Sequence, residues 1–117
     1  LPEAAALAAA NKRIGNILKK SDAPAGAIAA AALVEPAERE LHEAMERAGA
    51  VARGHFDRAD YTQALRELAA LRAPVDAFFD GVMVNAGDAA LRNNRLWLLQ
   101  ALHTEMNRVA DLSRLVQ

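Results

Sequence analysis

Asp88-Ala89-Ala90-Leu91-Arg92-Asn93-Asn94-Arg95-Leu96-Trp97-Leu98-Leu99-Gln100-Ala101-Leu102-His103-Thr104-Glu105-Met106-Asn107-Arg108-Val109-Ala110 decides the fold class. Leu91, Leu98, Leu102 and Val109 recur on one side at about 100° per residue, flanked by Leu99 and Met106. Asp88 is a capping residue in front of them. The segment reads as one long helix over about 89–110. No stretch of the chain alternates apolar and polar residues as a half-buried strand would.

Working back towards the N-terminus, the same period returns. Val75, Phe78, Phe79 and Val82 mark a short fourth helix, opened by Pro74 and followed by the apolar turn Val82-Met83-Val84 between Gly81 and Gly87. Tyr61, Leu65, Leu68 and Leu71 give the buried face of a third helix, with Asp60 as cap and Gln63 in capping-box position. Leu41, Met45, Ala48 and Ala52 stripe a second helix that starts near Pro36 and stops at Gly54, with Glu35, Glu38 and Glu40 at its positive end. The first helix runs from Pro2 to Lys20 with Leu7, Ile14, Ile17 and Leu18 inward. Residues 21–34, with Pro24, Gly26 and an alanine tract, form the connector. The fold expected is all-α: a helical bundle of about five helices in one domain, 1–117.

Composition narrows the function classes. The chain of 117 residues has 14 Lys and Arg against 15 Asp and Glu, a formal net charge of -1 and no Cys. Disulfide frameworks and thiolate chemistry are therefore excluded, and nucleic-acid binding would have to come from a local patch. No apolar run approaches the roughly 20 residues of a membrane span. Glu3 stands where a signal peptide would be basic, so a cytoplasmic location is expected. Leu1 in place of an initiator Met suggests an excised piece of a larger protein.

Catalytic constellations are missing. His42, His55 and His103 have no metal-ligand spacing, so no metal site is expected. Ser21 and Ser113, the only two serines, lie in no nucleophile elbow, and there is no glycine-rich phosphate loop. Asp76 and Asp80, at i and i+4, are an acid–base pair in form only. Arg95 projects inside the apolar arc of the last helix, where a guanidinium must be paired. Asp76 and Asp80 are its expected partners, making the three a structural ion pair.

The first helix holds the one binding-like constellation. Lys12, Arg13, Asn16, Lys19 and Lys20 gather within about a third of its circumference, and no carboxylate intervenes between Glu3 and Asp22. Several cations on one side of a helix suit the phosphates of a nucleic acid. The same lysines also suit the negative end of the helix dipole. Arg92, at the edge of the last helix's stripe, is grouped with the basic set.

Lys12-Arg13-Ile14-Gly15-Asn16-Ile17-Leu18-Lys19-Lys20 resembles the opening of the anticodon-binding domain at the end of bacterial glycyl-tRNA synthetase β subunits. Further matches follow in order: Glu35-Pro36-Ala37-Glu38 with Leu41, then Tyr61, Ala64-Leu65, Leu68 and Leu71-Arg72. The most specific is Pro74-Val75-Asp76-Ala77-Phe78-Phe79-Asp80-Gly81-Val82-Met83-Val84. Asp88 to Leu96 and Ala110-Asp111-Leu112-Ser113 complete the series. The pattern is similar, more loosely, to arginyl-tRNA synthetases, which share this DALR-type helical module. Asn85, in place of an apolar residue, and Gly87, in place of an acidic one, depart from it.

The resemblance implies the C-terminal piece of a β subunit in a tetramer with catalytic α subunits. The parent enzyme would be a glycine–tRNA ligase using ATP and Mg, with no catalytic residue and no cofactor in this domain. The domain would hold the anticodon loop of glycine tRNA through Lys12, Arg13, Asn16, Lys19, Lys20 and Arg92, with no membrane contact. A protein-docking bundle with an acidic partner, and a small enzyme built on Asp76 and Asp80, are the competing readings. Trp97, roughly opposite Leu99 on the wheel, is expected to be half-exposed and to pack on the parent subunit or on another helix of the bundle.

Overall fold

The computed structural model describes residues 2–21, 24–84 and 87–113, and the side chains within 5–108 of these. Asp22, Asn85 and the side chains of Glu3, Val109 and residues 110–113 lie outside them. Among the described residues the chain is all-α. It forms α1 (Pro2–Lys19), α2 (Pro36–Asp57), α3 (Tyr61–Ala69), α4 (Arg72–Gly81) and α5 (Ala89–Ser113), with a 3-10 turn at Ala30–Ala32.

Helix α3 touches α1, α2 and α5, α1 runs along α5, and α2 also packs on α4. Ile14, Leu41, Leu68, Leu71, Phe78, Leu98, Leu99 and Leu102 are completely or nearly completely buried where these helices meet. The periodicity read from the sequence thus selects the inward faces. Asp60 Oδ1 accepts the Gln63 N–H at 3.3 Å, whereas the Gln63 side chain turns to Glu67 and does not close a reciprocal box. Asp88 Oδ1 accepts from the Ala90 and Leu91 N–H groups and caps α5.

Two boundaries differ from the sequence reading. Helix α2 runs through Gly54 to Asp57, and Ala59 takes the left-handed conformation at φ 59°. Phe56, partly buried and 6.1 Å from the Tyr61 ring, gives the last turn an apolar contact that holds it in helix. The break before α4 falls at residues 70–71, so Pro74 sits in the first turn of α4, where its missing N–H costs nothing.

The partners expected for Arg95 are corrected by the structure. Arg95, 5% exposed, donates from Nη2 to Oε1 of fully buried Glu38 at 2.9 Å and from Nη1 to the Met83 carbonyl at 2.6 Å. Glu38 Oε1 also accepts the Glu35 N–H at 3.2 Å, which ties the pair to the first turn of α2. Asp76 and Asp80 lie on the solvent face of α4, opposite the buried Val75 and Phe78. Among the described residues Asp76 pairs with Arg72, at 3.9 Å, and both side chains are mostly exposed, so that contact contributes little.

Trp97 is half-exposed as expected, and what it meets within the chain is the connector and not another helix. Its indole N–H donates to the Pro24 carbonyl at 2.8 Å, and the ring lies against Gly26, so it packs on the chain's own connector. Next to it, Asn94, 1% exposed, bonds both backbone groups of Ala29, accepting from N–H at 2.8 Å and donating to C=O at 3.1 Å. The connector is thereby fastened along α5.

Two outcomes follow from these contacts. Arg95→Ala should cost about 3 kcal/mol, because it strands the buried Glu38 carboxylate; an unchanged urea midpoint would refute that role. Gly26→Ala places a Cβ 2.3 Å from Trp97 Cζ2, so the ring must move. The single Trp emission should shift to the red, and an emission maximum identical to that of the unmodified chain would show that the contact does not hold the ring.

Candidate nucleic-acid interface

Helix α1 presents its inner face to α5, α3 and α4, which leaves its other face to solvent. Lys12, Arg13, Asn16, Lys19 and Lys20 are all exposed, while Leu7 and Ile14 are buried. This division follows from the sequence, since the cations lie opposite the apolar positions on the wheel.

The structure separates this set into two directions. Lys12, Asn16 and Lys19 line a groove of about 520 Å³ with Asn11, Gly15, Leu18 and His103. Arg13 turns the other way: its guanidinium carbon sits 4.1 Å from the centre of the Phe79 ring on α4. That stack draws on the cation–π attraction and fixes the side chain against the bundle. Lys20 stands exposed just beyond the last residue of α1.

Arg92 is not part of the groove. Asn11 meets Asn107 while Gly15 lies against His103, so α1 and α5 run antiparallel here. Arg92 lies about 16 Å along α5 from His103, beyond the end of α1. It is half-buried and has a partner of its own within the chain.

The groove brings in residues that the sequence reading passed over. His103 Nδ1 is 2.7 Å from Asn11 Oδ1, and Asn11 Nδ2 donates to Asn107 Oδ1 at 2.7 Å. A signal for Asn11 existed: it projects between Leu7 and Leu18, so a polar partner on the facing helix was required. No comparable signal marked His103, whose environment depends on the packing of α1 against α5.

Elsewhere the chemistry is sparse. Among the described residues, no three His, Cys, Asp or Glu side chains gather as a metal site. Among them, too, no helix is long and apolar enough to cross a membrane. Asp76 and Asp80 are both exposed, and a small open cleft beside Asp76 is lined by Arg13, Arg72 and alanines of α1.

Comparison with known proteins shows the family of the chain. Residues 7–112 match the family model described as "DALR anticodon binding domain". The chain is 62% identical to the glycine--tRNA ligase beta subunit of Thiobacillus denitrificans over 116 residues, which cover 98% of this chain and 16% of the relative. It is 61% identical to the beta subunit of Delftia acidovorans, with the same 98% and 16% coverage, and 61% identical to that of Polaromonas naphthalenivorans, covering 99% and 16%. The chain thus spans about a sixth of the length of these relatives. With a family match over almost its whole length, the chain belongs to the DALR anticodon-binding domain family.

Proposed function

We propose that this chain is the anticodon-binding domain, single over 1–117, at the C-terminal end of a glycyl-tRNA synthetase β subunit. In this reading it holds the anticodon loop of glycine tRNA while the parent enzyme attaches glycine with ATP. Catalysis, ATP and magnesium belong to the rest of that enzyme, which includes the catalytic α subunit and works in the cytoplasm. The observation that carries the reading is the exposed face of α1, where Lys12, Asn16, Lys19 and Lys20 meet solvent on one side of a bundle anchored on the other. A local cationic face on a chain of net charge -1 directs a polyanion to one surface.

Within that surface the roles differ by chemistry. The lysines are point charges suited to phosphate oxygens and carry no base information. Asn16 carries both donors and an acceptor and can meet a base edge in an unstacked loop. Arg13, held on Phe79, offers the outer plane of its guanidinium to a base.

The Lys19→Ala/Lys20→Ala double variant should bind glycine tRNA more weakly. The slope of log affinity against log salt should fall by about 0.7 for each single-strand phosphate left without its cation. Stability should change by only a few tenths of a kcal/mol, since both side chains are exposed on a helix end. Titration with glycine tRNA and with an anticodon-swapped transcript tests the reading. Equal affinity for the two would remove anticodon recognition, and unchanged affinity of the folded double variant at low salt would remove this face from the interface.

A further inference from the structure

The groove between α1 and α5 holds a group that phosphate binding alone does not use. The half-buried His103 ring lies against α1 because Gly15 has no side chain; a Cβ there would stand 3.3 Å from His103 Cε1. The amide nitrogen of Asn11 is committed to Asn107, so Asn11 turns its carbonyl oxygen to the ring. A carbonyl only accepts, so Nδ1 is the donor in this contact, and the tautomer with its proton on Nδ1 has its lone pair at Nε2. Nε2 has no partner among the described residues.

A lone pair at Nε2 repels phosphate oxygens and needs a donor. Lys12 and Lys19, about 10 Å apart along the helix axis, bracket the same groove and need an anion. One chemical unit supplies both: a ribose-phosphate, whose 2′-hydroxyl donates while its phosphate carries the charge. A deoxyribose strand would satisfy the lysines and lack the sugar donor for Nε2. The groove volume of about 520 Å³ lies within the roughly 300–1,000 Å³ of small-ligand clefts.

Resting on the anticodon-loop reading above, we propose that the α1–α5 groove is a ribose-phosphate subsite. Lys12 and Lys19 take a backbone phosphate, and His103 Nε2 accepts a hydrogen bond from the 2′-hydroxyl of the adjoining nucleotide. Asn11 and Asn107 are positioning residues that hold the acceptor tautomer. The subsite senses the sugar and not the base, so it distinguishes RNA from DNA at one place in the loop.

The test compares the anticodon stem-loop RNA of glycine tRNA with the same hairpin carrying 2′-deoxy sugars in its loop, by fluorescence anisotropy. The chain should prefer the RNA by about fivefold, the scale of one hydrogen bond. His103→Ala should bind both hairpins alike, at the affinity the unmodified chain shows for the deoxy form. His103→Phe should do the same while keeping a ring against Gly15, which guards against an unfolded His103→Ala. The absence of a preference in the unmodified chain, or a preference that persists in folded His103→Phe, would overturn the subsite. A Lys12→Ala/Lys19→Ala variant separates the two levels. If it weakens binding of both hairpins while His103→Phe keeps the RNA preference, the anticodon reading stands and the subsite falls. If it binds both as the unmodified chain does, the basic-face reading falls and takes the subsite with it.

Discussion

The arrangement of the bundle depends on one buried ion pair, Arg95 with Glu38. It joins the first turn of α2 to the second turn of α5 and, through the Met83 carbonyl, to the segment that follows α4. Removing two charges from water is costly, and here Glu38 Oε2 and Arg95 Nε lack hydrogen-bond partners among the described residues. The pair is therefore a poor source of net stability when set against an apolar substitute of the same volume. Its effect is selective: any arrangement that separates the two leaves a lone charge among leucines. Sliding α5 by one turn along α2 would do that, so the pair fixes the register in which α5 also meets α1.

That register has consequences at the other face of α5. Leu96 and Leu98 are both buried although they point to opposite sides of the helix, so this stretch is covered all round. Asn94 and Trp97 fasten the connector there through backbone groups of Ala29 and Pro24. The connector leaves the C-terminal end of α1, so this contact helps to set where the basic helix ends. Leu33, buried, and Arg39, whose guanidinium donates to the Leu33 and Val34 carbonyls at 2.9 Å, lead the chain from there into α2.

How much of this was legible depends on whether the determinant is local. The helices and the caps at Asp60 and Asp88 are set by near neighbours and could be read from spacing. That Arg95 must be paired was legible too, because a charge stood inside an apolar stripe. The partner was misread because proximity in sequence favoured Asp76 and Asp80, which lie on the solvent face of α4. Glu38 carried the same kind of signal as Arg95: it continues the stripe of Leu41 and Met45 at i+3 and i+7. Two opposite charges, each inside an apolar stripe of its own helix, point to each other more strongly than to exposed carboxylates. The Asn94 clip and the Trp97 contact were not legible, since both are made to backbone atoms of an irregular segment. The split of the basic face was hidden for a similar reason. Whether Arg13 joins Lys12 or turns to Phe79 is decided by where α4 crosses α1, which no single-helix wheel contains.

The same packing limits how an RNA loop can be read by this surface. The chain has one Trp, one Tyr and three Phe. Phe56 and Tyr61 pack together, Phe78 is fully buried with its edge to Phe79, Phe79 carries Arg13, and Trp97 is bonded to the connector. Each ring is thus engaged by internal contacts, so the stacking platforms used by aromatic-rich RNA-binding folds are absent from α1's exposed face. Recognition on that face has to run through donors and acceptors held in place by the bundle. The groove residues fit this requirement, His103 being oriented by Asn11 and Asn11 by Asn107, and outside the groove Arg13 is held by Phe79. Side chains held in this way lose little freedom on binding, which favours affinity from few contacts. The lysines, strongly hydrated and on flexible stems, contribute charge and not geometry. On this reading discrimination resides in the held polar groups at the α1–α5 seam, and the register imposed by Arg95 and Glu38 brings those groups into line.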